Sequence, residues 1–225
     1  KTTNKGIKSI MKKLSIDNID ITSDDIGYKI APLINAVGRI GNPKLIIDLF
    51  TNQSDESVLK LTKDCFNMNK ERKRLTSLVE QEAVNIAVSE YRRDRKFLVI
   101  SKREWHPGII GIVAARIVDK FNLPTALLAE ANDGNFRGSI RSNNKLKVNL
   151  ALAECDDILI AHGGHSAAAG FSIKKENIDN LRERLNKIAN REFKNINLYK
   201  SITPDAYISF DQINYNFYRQ LTLIG

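Results

Sequence analysis

The three histidines of this 225-residue sequence, His106, His162 and His165, all fall beside glycine-containing turns. Trp105-His106-Pro107-Gly108 sits where a strand pattern gives way to a helix pattern opening Ile109-Ile110-Gly111-Ile112. A helix that starts behind a glycine offers N–H groups and the positive end of its dipole to an anion. The plainer reading of the same residues is a tight turn with Trp105 in the core. His162-Gly163-Gly164-His165 leads into Ser166-Ala167-Ala168-Ala169-Gly170. That is a glycine loop entering a run of small residues, and a glycine pair lets the backbone approach a ligand more closely than a Cβ allows. Gly138-Ser139-Ile140-Arg141-Ser142 reads as a strand, so Ser139 and Arg141 share a face. A hydroxyl beside a guanidinium fork suits a phosphate or carboxylate; the alternative is an edge strand with a solvated arginine.

Other chemistries find little support. His162 and His165 stand at the i, i+3 spacing of metal ligands, but no nearby carboxylate or cysteine completes a set. There is no dense Asp-x-Asp or Asp-His-His cluster of the kind that activates water between two metals, and no G-x-S-x-G elbow. Asp24-Asp25 and Asp156-Asp157 are adjacent acids without histidine partners, read as solvated surface. Cys65 and Cys155 are far apart and read as buried thiols rather than a disulfide or zinc knuckle. The formal net charge of +9 favours a polyanionic partner, because neutralising phosphates releases condensed counterions. Nucleic acid comes first, an anionic membrane surface second, and a merely lysine-rich surface is the plain alternative. The basic runs Lys70 to Arg74 and Tyr91 to Lys96 read as a solvated helix face or as a groove that tracks a phosphate backbone.

These residues need elements to hold them. A short helix spans Ile7 to Leu14, and Ser54-Asp55-Glu56 signals the start of another. From there Val58, Leu61, Cys65, Met68, Leu75, Val79 and Ile86 recur at helical spacing to about Arg93, with a possible break at Asn67 to Asn69. Phe97 to Ser101, Gly108 to Phe121 and Thr125 to Ala131 then read as a βαβ unit. Asp133-Gly134 marks a turn, Arg137 to Ser142 a strand, Val148 to Cys155 a helix, Ala168 to Lys174 a strand and Glu176 to Phe193 a helix. The fold class is therefore α/β with a mixed sheet. Beyond Tyr199 the pattern gives a strand at Ala206 to Phe210 and a helix at Tyr215 to Leu223. The longest apolar stretches, such as Ile109 to Ala115, are far too short to span a bilayer, and with no signal pattern a cytoplasmic location is expected. The sequence starts at Lys1 and stops after Leu223-Ile224-Gly225, so a piece of a longer protein is expected.

Four segments occur in order: Ala31-Pro32-Leu33-Ile34-Asn35-Ala36-Val37-Gly38-Arg39; Trp105-His106-Pro107-Gly108-Ile109-Ile110-Gly111-Ile112-Val113-Ala114-Ala115-Arg116; Gly138-Ser139-Ile140-Arg141-Ser142; and Gly163-Gly164-His165 with Ala168-Ala169-Gly170. Together they resemble the RecJ branch of the DHH phosphoesterase superfamily. The resemblance implies the tail of a DHH domain at 1–52, a connector helix at 53–96, a DHH-associated domain at 97–196 and the start of an OB-type domain at 197–225. It implies a 5′→3′ exonuclease of DNA repair and recombination, with single-stranded DNA as partner and manganese or magnesium as cofactor of the complete enzyme. The metal-binding motifs of the family are missing from this sequence, so the chain alone is expected to bind no metal and to be inactive. By resemblance, Arg39, Ser139 and Arg141 contact phosphate or the 5′ end. Gly163, Gly164 and His165 contact substrate at the catalytic cleft, and Asn35 and His106 join the binding set. A DHH-type short-oligonucleotide or nucleotide phosphatase, a non-catalytic nucleic-acid-binding module and a tRNA-linked editing appendage are the alternatives.

Overall fold

The computed structural model describes residues 2–17, 20–143, 146–194 and 204–223. It divides into two compact units, Lys1–Glu71 with Ser201–Gly225, and Arg72–Lys200. In the first, α1 (Lys5–Lys13) is capped by Asn4, whose side chain accepts from the Ile7 N–H and donates to the Phe50 carbonyl at 2.8 Å. A π turn, Asp25–Ile30, runs into α2 (Ala31–Ile40). The wide turn falls just before Pro32, which has no N–H to donate to the preceding turn. After α3 (Lys44–Thr51), a core of Ile10, Leu33, Val37, Leu49, Val58 and Cys65 closes the unit.

The helix α4 (Asp55–Arg92) is 38 residues long and unbroken. The expected break at Asn67 to Asn69 does not occur. Asparagine costs a helix only about 0.7 kcal/mol or less per residue, and Cys65, Phe66 and Met68 are held in the first unit's core, which outweighs that. Val58, Thr62 and Cys65 are buried in the first unit, Thr76, Val79, Ala83 and Ala87 further along. Ile86, expected on the buried stripe, is 36% exposed; the small Ala83 and Ala87 take the close-packed positions instead.

In the second unit the chain runs β1 (Leu98–Ser101), α5 (Pro107–Phe121), β2 (Thr125–Glu130), β3 (Phe136–Arg141), α6 (Val148–Ala153), β4 (Leu159–Gly164), β5 (Ala168–Ile173) and α7 (Ile178–Glu192). The sheet order is β1-β2-β3-β5-β4. β1 and β2 are parallel, as the βαβ reading requires, and the remaining pairs are antiparallel. On one sheet face Phe136, Ile140, Phe171 and Ile173 pack with Leu181 and Leu185 of α7. Asn186 pins α7 to the start of β1: its side chain accepts from the Lys96 and Phe97 N–H groups and donates to the Phe97 carbonyl. Glu82 of α4 accepts from the Trp105 indole and pairs with Lys102, both at 2.7 Å. Trp105 is 4% exposed, so its core reading holds. No helix among the described residues is long and apolar enough to cross a membrane.

Two further expectations about elements are corrected. His162-Gly163-Gly164 is no loop; it ends strand β4. The strand expected at Ala206 to Phe210 is absent. A 3-10 turn (Phe210–Gln212) with a Ser209/Gln212 capping box and a short α8 (Tyr215–Leu221) stand there, with Tyr207 90% and Phe210 94% exposed. All described strands lie in the second unit, so that segment has none in its own unit to pair with, and a lone strand has no stability of its own. The expected module boundary at 196–197 lies outside the described residues, as do the chain's last two.

Asp25, read from the sequence as solvated surface, is buried. Its carboxylate accepts from the Thr22 N–H and hydroxyl and pairs with Lys29 at 2.6 Å. The Lys29 hydrogen bond, then the Thr22 N–H, hold its pKa at about 2, below the ordinary 3.8. A depressed acid stabilises the fold above its ordinary pKa, and that contribution is lost as pH falls through the folded value. Asp25→Asn is therefore expected to lower the melting temperature above about pH 4 and to converge on the parent as pH approaches 2. A pH-independent difference in thermal melts would contradict this.

Candidate nucleic-acid interface

Strand β3 alternates buried and half-buried residues, with Phe136, Gly138 and Ile140 in the core and Arg137, Ser139 and Arg141 on the opposite face. Directly paired residues of antiparallel strands share a face. Arg141 therefore stands beside Ala168, Ser139 beside Gly170 and Gly163, and Arg137 beside Ser172 and Ala161. Helix α5 reaches this face at Gly111, where an added Cβ would lie 2.9 Å from Ser139 Oγ and 3.0 Å from Arg141 Nη2. Over β5 and β4, by contrast, Ala161, Gly163 and Gly170 are exposed. The result is a strip floored by small residues and bordered by two arginines.

The glycines here divide by cause. A Cβ on Gly138 would meet the Phe171 ring at 2.1 Å, so this glycine of the Gly-Ser-x-Arg segment serves core packing. Gly164 has a φ of 143° and its Cβ would meet the Ala168 carbonyl oxygen at 2.5 Å; it too is demanded by the fold. At Gly163 nothing lies within 4 Å of a Cβ, and at Gly170 only the Gly138 carbonyl oxygen at 3.8 Å. Packing does not require these two.

Arg141 donates from Nη1 to Ser139 Oγ at 3.0 Å and to the Ile140 carbonyl at 2.7 Å, so its guanidinium lies back along β3 over the hydroxyl. His165 extends the β4–β5 ladder by one step, its N–H donating to the Ala168 carbonyl at 2.8 Å, with the residue exposed. The structure thus brings Ser139, Arg141 and Gly163 to one side of one sheet, with Gly164 as a structural support and His165 just beyond the end of β4.

His106 is elsewhere in role: its Nδ1 accepts the Gly108 N–H at 3.0 Å, and the Ile109 N–H bonds to the His106 carbonyl at 2.9 Å. These first-turn donors are engaged within the chain, which removes the simple anion-site reading. Asn35 and Arg39 belong to the first unit, both exposed on α2 at an i, i+4 spacing. They border a cavity of about 520 Å³ with Ile34, Gly38, Pro43, Ile46 and Ile47.

Asp156 and Asp157 are not partnerless acids. Asp156 pairs with His162 Nε2 at 3.0 Å, and Asp157 takes a bidentate contact from Arg184 at 2.6 and 2.9 Å that holds its carboxyl below the usual range. Among the described residues no three His, Cys, Asp or Glu side chains converge on a point where a metal could sit. Arg137 and Ser172 were missed by sequence reasoning, although period-two alternation from Ser139 reaches Arg137 in one step.

Gly164→Ala is expected to cost about 1–3 kcal/mol, from strain and from the carbonyl clash, and to lower the melting temperature by several degrees. Gly163→Ala is expected to raise it slightly, since a strand glycine costs about 0.5–1 kcal/mol relative to alanine and nothing lies near its Cβ position. Equal effects in a thermal melt would refute the division.

Residues 94–191 match the DHHA1 domain family. The chain is 34% identical over 190 residues, 84% of its length, to the single-stranded-DNA-specific exonuclease RecJ of Bacillus subtilis, and spans only 24% of that protein. A crystal structure of exonuclease RecJ bound to manganese superposes with a TM-score of 0.74 at 25% identity, covering 86% of this chain and 48% of the other. RecJ of Thermus thermophilus in complex with Mg2+ gives the same score at 24% identity, covering 84% and 29%. The chain is thus RecJ-like over most of its length and carries a DHHA1 domain at residues 94–191.

Proposed function

We propose that this chain is the strand-gripping part of a single-strand-specific DNA exonuclease of the RecJ kind. The observation that carries the proposal is the open strip of Gly163 and Gly170 beside the Ser139/Arg141 couple. Glycine without a packing reason leaves the sheet low enough for a sugar–phosphate backbone to lie against it. The adjoining guanidinium supplies a planar, permanently charged donor fork for a phosphate, and its bond to Ser139 orients that fork in advance. His165, at the exposed end of β4, contacts the strand next to Arg141. Arg39 and Asn35, exposed on α2 of the first unit, are proposed as phosphate contacts in their own right. A 5′-to-3′ polarity and a place in DNA repair are part of this proposal, carried over from the resemblance of the four sequence segments to the RecJ branch.

Catalysis of this class uses manganese or magnesium to activate water and to neutralise developing charge. No three suitable ligands converge among the described residues, so the chain's own part is binding and positioning. The 225-residue chain alone is accordingly expected to bind single-stranded DNA yet leave it intact in manganese. Robust degradation by a contamination-free preparation would overturn that assignment.

Arg141 gives the sharper test. Losing a charge-assisted contact costs about 1.5–3 kcal/mol, so Arg141→Ala should weaken binding of a labelled oligothymidine by roughly tenfold or more and lower the salt slope of binding by about one. Arg141→Lys should recover part of the affinity, since an ammonium restores charge without the fork. A folded Arg141→Ala chain with unchanged affinity would remove Arg141 from the interface.

A further inference from the structure

The guanidinium–hydroxyl couple of Arg141 and Ser139 occurs a second time on the same sheet face. Arg137 donates from Nη1 to Ser172 Oγ, and Ser172 is its direct partner across the β3–β5 pairing. Arg137, Ser139 and Arg141 follow one another at every second residue of β3, and Ala161, Gly163 and Gly170 floor the strip beside them. Arg137 and Arg141 are four residues apart, roughly 13 Å along a strand. The two side chains can therefore serve phosphates at different points of one nucleic-acid strand.

One group competes for the second couple. Asp133 Oδ2 accepts from Arg137 Nη2 at 2.7 Å, with the two side chains 47% and 43% exposed. Exposed pairs of this kind contribute little, about 0–1 kcal/mol. The Asp133 carboxylate is held in place chiefly by its turn, accepting the Asn135 N–H at 3.0 Å, and that hydrogen bond, ahead of Arg137, keeps its pKa below the usual carboxylate value. Asp133 therefore stays charged beside Arg137 whether or not a strand is present. A phosphate approaching the couple must displace it or share the guanidinium with it.

We propose that Arg137 and Ser172 form a second phosphate-binding position on the sheet, with Asp133 as its built-in competitor. The proposal rests on the single-strand-binding reading given above. It adds a direction to it: the strand runs along β3 from Arg141 towards Arg137, across the glycine floor. The competitor makes this position weaker than the first and more dependent on a long strand, since a short oligonucleotide can be satisfied at Arg141 alone.

The test uses the full 225-residue chain and fluorescence anisotropy with 5′-labelled oligothymidines, one of two nucleotides and one of twelve or more. Asp133→Asn keeps the turn's acceptor oxygen and removes the charge; it is expected to tighten binding of the long oligonucleotide about three- to tenfold and to leave the short one unchanged. Arg137→Gln is expected to weaken the long one by a similar factor, with a salt slope lower by about one. Adding Asp133→Asn to Arg137→Gln should then bring no gain. Melting temperatures of the same preparations control for folding, and if Arg137→Gln unfolds the chain, Asp133→Asn alone still decides. Unchanged affinity for the long oligonucleotide in Asp133→Asn, while Arg141→Ala weakens it, overturns the second position and leaves the first. Failure of the parent chain to bind either oligonucleotide, or a neutral Arg141→Ala, overturns the underlying reading instead.

Discussion

The close contact between the end of the Phe171 ring and Gly138 is the constraint on which the candidate interface depends. Side chains alternate with a period of two along a strand, so a one-residue slip of β3 against β5 would exchange its two faces. Phe171 lies opposite Gly138, and its ring occupies the space a Cβ would need. Only glycine accepts the ring there. With that pairing fixed, Phe136 and Ile140 enter the core, and Arg137, Ser139 and Arg141 are turned together to the other face. The core contact and the polar array are two consequences of one register.

A second layer of control comes from α5. Gly111 lets the helix pass so close that Ser139 and Arg141 pack against its backbone, which confines the guanidinium to the edge of the open strip. The helix is in turn tied to α4 through Arg116 with Glu80 and the tilted contact of Tyr91 with Phe121 at 5.7 Å, and the segment leading into it through Glu82 with Lys102 and Trp105. Much of the positive charge seen in the sequence is engaged in contacts of this sort. In the run from Tyr91 to Lys96, Arg93 pairs with Glu90, Arg95 with Glu183 and Lys96 with Asp94. That run braces the second unit, so net charge alone is a poor guide to where a phosphate would be held.

Elements with a strong apolar rhythm were legible from the residues: α1, the βαβ unit, β3, β5 and α7 lie within a few residues of expectation. Strand β4 was hidden because Leu159-Ile160-Ala161-His162-Gly163-Gly164 has a bulge between Leu159 and Ala161 and ends in glycines. Neither alternation nor β propensity survives such a composition. The break assigned to Asn67 to Asn69 and the strand assigned to Ala206 to Phe210 failed for opposite reasons. In the first, tertiary packing of Cys65 and Met68 overrode a weak local preference; in the second, a suitable local pattern had no strand within its own unit to pair with. The candidate residues of β3 could be placed on one face from their alternation alone, whereas the anion-ligand reading of His106 ends at its ring, which caps α5. Asp25, Asp156 and Asp157 looked like bare acids because their partners are set by turns and by contacts across the fold.

The energetic balance of the glycines separates what the fold needs from what it merely tolerates. A glycine inside a strand costs about 0.5–1 kcal/mol in backbone entropy relative to alanine. At Gly138 that cost is offset by the Phe171 ring, and at Gly164 by a backbone conformation and a close carbonyl that exclude other residues. At Gly163 and Gly170 nothing in the chain offsets it, since a Cβ at either position would point into open space. The two sit side by side on adjacent strands, in register with Ser139. A pair of destabilising residues aligned with a guanidinium–hydroxyl couple is accounted for when something outside the chain comes to rest on them, and an extended, negatively charged backbone fits both the low floor and its charged border.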